Sequence, residues 1–202
     1  MKKNKIDVIM GTGKVLPGKQ IEVSDKNGKT TKYNGKNLII ATGARSRQLP
    51  NLKQDGKQII GYRDAMVLRK IPKNMVIVGS GAIGVEFAYF YNAMGVDITI
   101  VEYLPNIVPV EDIDVSKQLE KTFKKKGINV MTNSSVEKVE KSSKGCKVII
   151  KTSKGEDKIE CDIVLSAVGI QPNIENIGLE ETGIVVDSGK IVVDDYYQTN
   201  IP

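Results

Sequence analysis

Short apolar runs, each closed by a glycine or a cluster of turn-forming residues, set the pattern along this chain. Met75–Val78 is one such run and Val96–Val101 another, and between them Ala82–Met94 carries apolar residues at helical spacing. Met75–Val78 is apolar throughout and Val96–Val101 is broken only by Asp97 and Thr99, which suits strands flanking a helix, so the stretch predicts a β-α-β unit with parallel strands. Beyond it, Asp112 or Asp114 can cap a helix whose apolar positions Val115, Leu119 and Phe123 recur every four residues, with Gly127 as its stop. Strand Ile128–Met131 follows. The helical pattern then disappears: Val136–Val139, Cys146–Lys151 and Lys158–Cys161 read as short strands, separated by turns at Ser142–Gly145 and Ser153–Gly155. A last buried strand, Ile163–Val168, ends at Gly169 with Pro172 just beyond, so the crossover leading to it is a β-meander and not a helix.

The first fifty residues repeat this tail. Ile6–Met10, Gln20–Val23 and Thr31–Tyr33 read as strands, Asp25–Gly28 as a turn, and Leu38–Gly43 as a buried strand ending in glycine, with Pro50 beyond. The chain therefore holds one complete nucleotide-binding layout preceded by the back half of a second, and it reads as a fragment. Gly11-Thr12-Gly13-Lys14 does not replace the missing front half: a phosphate-binding P-loop needs a glycine where Val8 stands and Ser or Thr where Val15 stands.

Composition adds bounds. With 202 residues and 40% hydrophobic content the chain can bury a substantial core. The net charge of +6 invites a nucleic-acid reading, but the lysines are scattered and Lys124–Lys126 is only a short run at a helix end, where cations favour the macrodipole. No segment has transmembrane length and the N-terminal residues lead into a strand, so the expectation is a cytoplasmic protein without membrane or nucleic-acid partners. Cys146 and Cys161 fit no C-x-x-C or zinc spacing and read as ordinary buried thiols. There is no histidine, which removes the commonest proton shuttle and metal ligand; no metal site is expected.

The chemistry concentrates at Gly79-Ser80-Gly81-Ala82-Ile83-Gly84, a G-x-G-x-x-G between strand and helix, with Glu102 eighteen positions after the last glycine at the end of the next strand. That context is what a dinucleotide needs. Gly79 permits the tight turn, Gly81 lets a pyrophosphate approach the backbone, and Gly84 lets the helix lie close on the strand. The pyrophosphate then caps the helix N-terminus, and Glu102 can accept hydrogen bonds from the adenosine ribose hydroxyls. Tyr103, Leu104 and Pro105 bring no arginine for a 2′-phosphate, so NAD is favoured over NADP.

LIIATGA at 38–44, GSGAIGVEFA at 79–88, IVEY at 100–103, SAVGIQPN at 166–173, NIGL at 176–179 and YQTNIP at 197–202 together resemble the dihydrolipoamide dehydrogenase family, over essentially the whole chain. One departure is Ile170, where many relatives carry arginine. The resemblance implies an α/β, Rossmann-like NAD-binding domain over residues 71–195, a parallel sheet with helices on one face and the meander on the other. Partial FAD-domain segments at 1–70 and 196–202 would flank it.

It further implies that Gly79 to Glu86, including Val85, form the pyrophosphate loop, that Val136 lies against adenine, and that Gly169 lies near the nicotinamide. Glu86 is implied at the flavin and nicotinamide, paired with a lysine beside the redox cysteines. Gly13, Thr42, Gly43 and Ala44 are implied as flavin contacts. The intact protein would be a homodimeric FAD- and NAD-dependent dihydrolipoyl dehydrogenase that oxidises the lipoyl domain of a 2-oxoacid dehydrogenase complex. This chain alone, without the redox disulfide or the catalytic His-Glu pair, is expected to be inactive and to contain no catalytic residue. Other flavin disulfide reductases, of the CoA-disulfide or mercuric reductase type, and a free-standing NAD-binding module are the alternatives.

Overall fold

The computed structural model describes residues 1–202, the side chain of Lys2 excepted. In chain order the elements begin with strands β1 (Thr12–Leu16), β2 (Gln20–Ser24), β3 (Thr30–Asn34), β4 (Ala44–Ser46) and β5 (Ile59–Ile60), then helix α1 (Tyr62–Ala65). Next come β6 (Asn74–Val78), α2 (Ala82–Ala93), β7 (Asp97–Val101), α3 (Ile113–Lys125) and β8 (Asn129–Met131). The chain continues with β9 (Ser135–Ser142), β10 (Gly145–Thr152), β11 (Gly155–Cys161), β12 (Ile163–Ser166) and β13 (Ile170–Pro172), and closes with α4 (Leu179–Thr182), β14 (Val186–Asp187) and β15 (Lys190–Ile191).

Two compact units result: Ser46–Ile170, and Met1–Arg45 together with Gln171–Pro202. The boundaries expected after residues 70 and 195 do not coincide with these edges. Residues 46–70 bring β5, which pairs with β12, and α1, whose Ala65 belongs to the helix-side core. Residues 171–195 hold contacts with 1–45, among them the Val15 N–H donating to the Ile177 carbonyl at 2.7 Å.

The Ser46–Ile170 unit is built on a five-stranded parallel sheet in the order β5-β12-β6-β7-β8. Alternation along β6, with both faces of the sheet covered, explains why Met75–Val78 is apolar throughout. Met75 and Ile77 join Ile98 and Ile100 of β7 in a core that includes Val85, Ala88 and Tyr91 of α2 and Phe123 of α3. Val76 and Val78, with Val101, face the opposite way, into a core shared with Val136, Cys146, Val148 and Ile150 of the meander. Each face of the sheet is thus covered, one by helices and the other by the antiparallel sheet β11-β10-β9, which is the three-layer arrangement expected from the sequence. Truncating a fully buried residue such as Ile77 would cost about 2–5 kcal/mol.

Helix α3 differs in one respect from its sequence reading. Asp112 caps it, its side chain accepting from the Asp114 N–H at 2.8 Å. Val115 is 55% exposed, however, and the buried stripe runs through Ser116, Leu119 and Phe123 instead. The three-then-four spacing is equally helical, and Ser116 tolerates burial because its hydroxyl donates to the Ile107 carbonyl at 2.5 Å.

In the other unit, β1-β2-β3 form an antiparallel sheet and β14-β15 a small hairpin. The Asp25 carboxylate accepts from the N–H groups of Asn27 and Lys29 and shapes the β2–β3 turn. Arg45 holds Glu175 through both guanidinium ends, at 2.6 and 3.1 Å, and this contact keeps the Glu175 carboxyl down at about 2. Two sequence expectations fail here. Ile6–Met10 forms no strand, and β1 begins at Thr12; Leu38–Gly43 forms no strand either, and Ile39 is 87% exposed. Apolar character indicates a wish for burial, but a strand also needs a neighbouring strand to pair with along its length, and among the described residues neither segment joins a sheet.

Candidate functional site

At the carboxyl ends of β6, β7 and β12 the chain leaves the sheet, and a cavity of about 840 Å³ opens there, within the Ser46–Ile170 unit. The glycine turn forms its floor. Gly79 adopts a φ of +97°, and a Cβ on it would stand 2.6 Å from the Ala167 carbonyl oxygen, so both backbone and space demand glycine. A Cβ on Gly84 would collide with the Gly79 carbonyl oxygen, which is how closely α2 lies on the turn. At Gly81 the situation is the reverse: a Cβ would meet no atom within 4 Å, so that space belongs to whatever fills the cavity.

Glu102 closes the far side. The end of β7 delivers it there, and it is only 7% exposed. A buried carboxylate must be hydrogen-bonded, and this one accepts three times. The Ser80 N–H and Ser80 Oγ–H donate to Oε2 at 2.8 and 2.6 Å, and the Leu104 N–H donates to Oε1 at 2.8 Å. One acceptor position on Oε1 is left for a ligand. The loop after Glu102 returns over the turn: the Val108 N–H donates to the Ser80 carbonyl, and Pro109 and Val110 reach the cavity wall.

A third wall comes from the segment before β5. The Arg47 N–H donates to the Gly169 carbonyl at 3.0 Å, the Leu52 N–H to the Leu49 carbonyl, and the Asn51 amide to the Val136 carbonyl at 2.6 Å. The strap 47–52 is therefore tied to the end of β12 at one end and to the start of β9 at the other.

Of the residues expected from sequence, Gly79, Ser80, Gly81, Ala82, Ile83, Glu102, Val136 and Gly169 line this one cavity. Gly84 lies beneath the turn and Val85 in the helix-side core, so neither presents a side chain to the cavity. Glu86 is exposed on α2 and outside the lining. Gly13, Thr42, Gly43 and Ala44 belong to the other unit. There Gly13 sits in β1 opposite Val23, the Thr42 and Gly43 carbonyls accept from Asn173, and Ala44 begins β4. Sequence reasoning missed Arg47, Asn51 and Ser134, which line the cavity from outside the glycine motif; only the folded strap and the β8–β9 connection bring them there.

The two cysteines face each other across β10 and β11, Cys146 opposite Cys161, both free and buried against the parallel sheet. Burial pushes the Cys161 thiol up to about 12 and raises Cys146 as well. Among the described residues no group of three or more His, Cys, Asp or Glu is placed to hold a metal, and no helix is long and apolar enough to cross a membrane.

Comparison with known proteins gives a consistent picture. Residues 1–202 match the family described as pyridine nucleotide-disulphide oxidoreductase. A dihydrolipoyl dehydrogenase of Rhizobium etli is 43% identical over all of this chain and 45% of its own length, and one of Zymomonas mobilis is 41% identical over all of this chain and 43% of its own. Among solved structures, LpdA of Mycobacterium tuberculosis superposes with a TM-score of 0.83 at 30% identity, covering 96% of this chain and 43% of that one. The HOCl-induced flavoprotein disulfide reductase RclA of Escherichia coli gives 0.79 at 25% identity over the same shares. The chain spans less than half the length of these relatives.

Proposed function

Because this chain belongs to the pyridine nucleotide-disulphide oxidoreductase family, we propose that the cavity at the end of the parallel sheet binds NAD(H). The pyrophosphate would lie over the Gly79–Ile83 turn, held by the N–H groups at the start of α2 and by the positive end of its dipole. The adenosine ribose would take the remaining acceptor position of Glu102, adenine would rest against Val136, and the nicotinamide half would extend toward Gly169. A single observation supports this most: the open space over Gly81 and the buried carboxylate of Glu102 line the same cavity. The carboxylate would repel a 2′-phosphate, so NAD is preferred to NADP. When bound, NAD supplies the site for hydride at its nicotinamide.

The whole protein, in this reading, is an FAD-dependent dihydrolipoyl dehydrogenase of the cytoplasm, a homodimer that takes electrons from the lipoyl domain of a 2-oxoacid dehydrogenase complex. The chain described here would supply its NAD-binding part, expected over residues 71–195 and centred on the Ser46–Ile170 unit, flanked by parts of the FAD domain. Gly13 and Thr42–Ala44 would contribute to the flavin site, and Glu86 would act at the edge shared by flavin and nicotinamide. The likeness to RclA supports a second reading, in which the whole protein reduces a different disulfide.

Titration calorimetry of this chain with NADH tests the binding, with one-to-one stoichiometry expected; no heat at high protein concentration would contradict it. Dihydrolipoamide-dependent reduction of NAD by the whole protein tests the activity, and its absence in a flavin-loaded preparation would favour the second reading.

A further inference from the structure

We infer that Arg47 is a positioning residue for the pyrophosphate of the bound dinucleotide, an assignment that rests on the NAD(H) reading and goes beyond it. A pyrophosphate brings two negative charges into a cavity that already contains the carboxylate of Glu102. Helix N–H groups supply only partial charge against this. Among the residues lining the cavity, Arg47 is the one lysine or arginine, and Glu102 the one aspartate or glutamate.

The side chain of Arg47 is uncommitted. Among the described residues it makes no hydrogen bond or ion pair, whereas Arg45, two positions earlier, is held at both ends by Glu175. Its backbone, by contrast, is fixed, since the Arg47 N–H donates to the Gly169 carbonyl and the strap beyond is tied at Leu52 and Asn51. A cation whose backbone is tied to Gly169, on the nicotinamide side of the same cavity, with no internal partner, suits the phosphate of the pyrophosphate nearer the nicotinamide, the position that the terminal phosphate of ADP takes. The planar fork of arginine matches two phosphate oxygens better than a point charge does. The side chain is exposed and forms no hydrogen bond or ion pair among the described residues, so its removal leaves no internal partner unpaired.

Calorimetric titration of this chain and its variants with ADP, adenosine and NADH tests the assignment. Arg47→Ala should weaken ADP and NADH by about tenfold and leave adenosine, which has no phosphate, within about twofold. Arg47→Lys should recover part of the loss. Added salt should weaken ADP binding less steeply in Arg47→Ala than in the parent. The melting temperature should stay within a few degrees of the parent's; if it does not, Arg47→Gln, of similar length, carries the same comparison. Unchanged ADP affinity would overturn the assignment, as would an equal loss for adenosine and ADP, which would mean that Arg47 only shapes the cavity. A parent chain that binds neither ADP nor NADH would defeat the NAD(H) reading itself, a result distinct from an Arg47 variant that binds like the parent.

Discussion

A side chain added at Gly81 would enter open space, whereas one at Gly79 or Gly84 would strike backbone, so substitutions along the same turn should fail in different ways. Gly81→Val should keep the fold, with a melting temperature near the parent's, and lose NADH affinity by tenfold or more, because the branched side chain occupies the place of the pyrophosphate. Circular dichroism and calorimetry together check this; retained binding would put the pyrophosphate elsewhere. Glu102→Arg should narrow or invert the preference for NADH over NADPH, read as the ratio of their dissociation constants, and an unchanged ratio would remove Glu102 from cofactor choice. The glycines and the acid were legible from spacing, since their task depends on a local turn and on the end of the adjacent strand. Ser80 as the clamp on Glu102, and Arg47 as the unpaired cation, were not. Both depend on contacts between positions far apart in sequence, and no periodicity encodes those.

Elements were legible to the extent that burial alone defines them. The apolar positions of β6, β7 and β12 and the alternation of Cys146, Val148 and Ile150 in β10 each matched a layer of the fold. Ile6–Met10 and Leu38–Gly43 carry the same apolar signal, yet a strand is a property of a pair, and neither pairs with a strand among the described residues. In the loop that leads to β5, the Asp55 carboxylate loses solvation, but it accepts from Lys141 at 2.8 Å and from the N–H groups of Lys57, Gln58 and Ile59, and the balance holds it well below the usual aspartate range. A depressed folded value means that its contribution is full above the ordinary aspartate pKa of about 4 and is lost as pH falls below it. Urea unfolding should therefore show stability declining from about pH 4 downward, and Asp55→Asn should flatten part of that decline. Identical acid limbs would show that these contacts persist in the unfolded chain. The meander thiols offer a second check. With Cys161 pushed up to about 12 by burial, both cysteines should resist a thiol-specific chromogen at pH 8 in the native state and react fully in denaturant. Rapid native reaction would mean that β10 and β11 open readily.

At the scale of the molecule, the cavity proposed for the nucleotide is accompanied by no imidazole and no exposed thiol that could take electrons from a dithiol: the chain has no histidine, and its two cysteines are buried behind the sheet. NADH binding with no lipoamide-dependent turnover is the expected behaviour of this chain alone; turnover from the pure chain would relocate the active site. Binding at the cavity itself is open to direct observation by amide chemical shifts in 15N-labelled protein titrated with NADH. The NAD(H) reading predicts that the largest perturbations cluster at Gly79–Gly84, Glu102–Leu104, Ser134–Val136 and Val168–Gly169, with β1–β3 unaffected. Saturable shifts confined to other residues, or none at millimolar NADH, would contradict it.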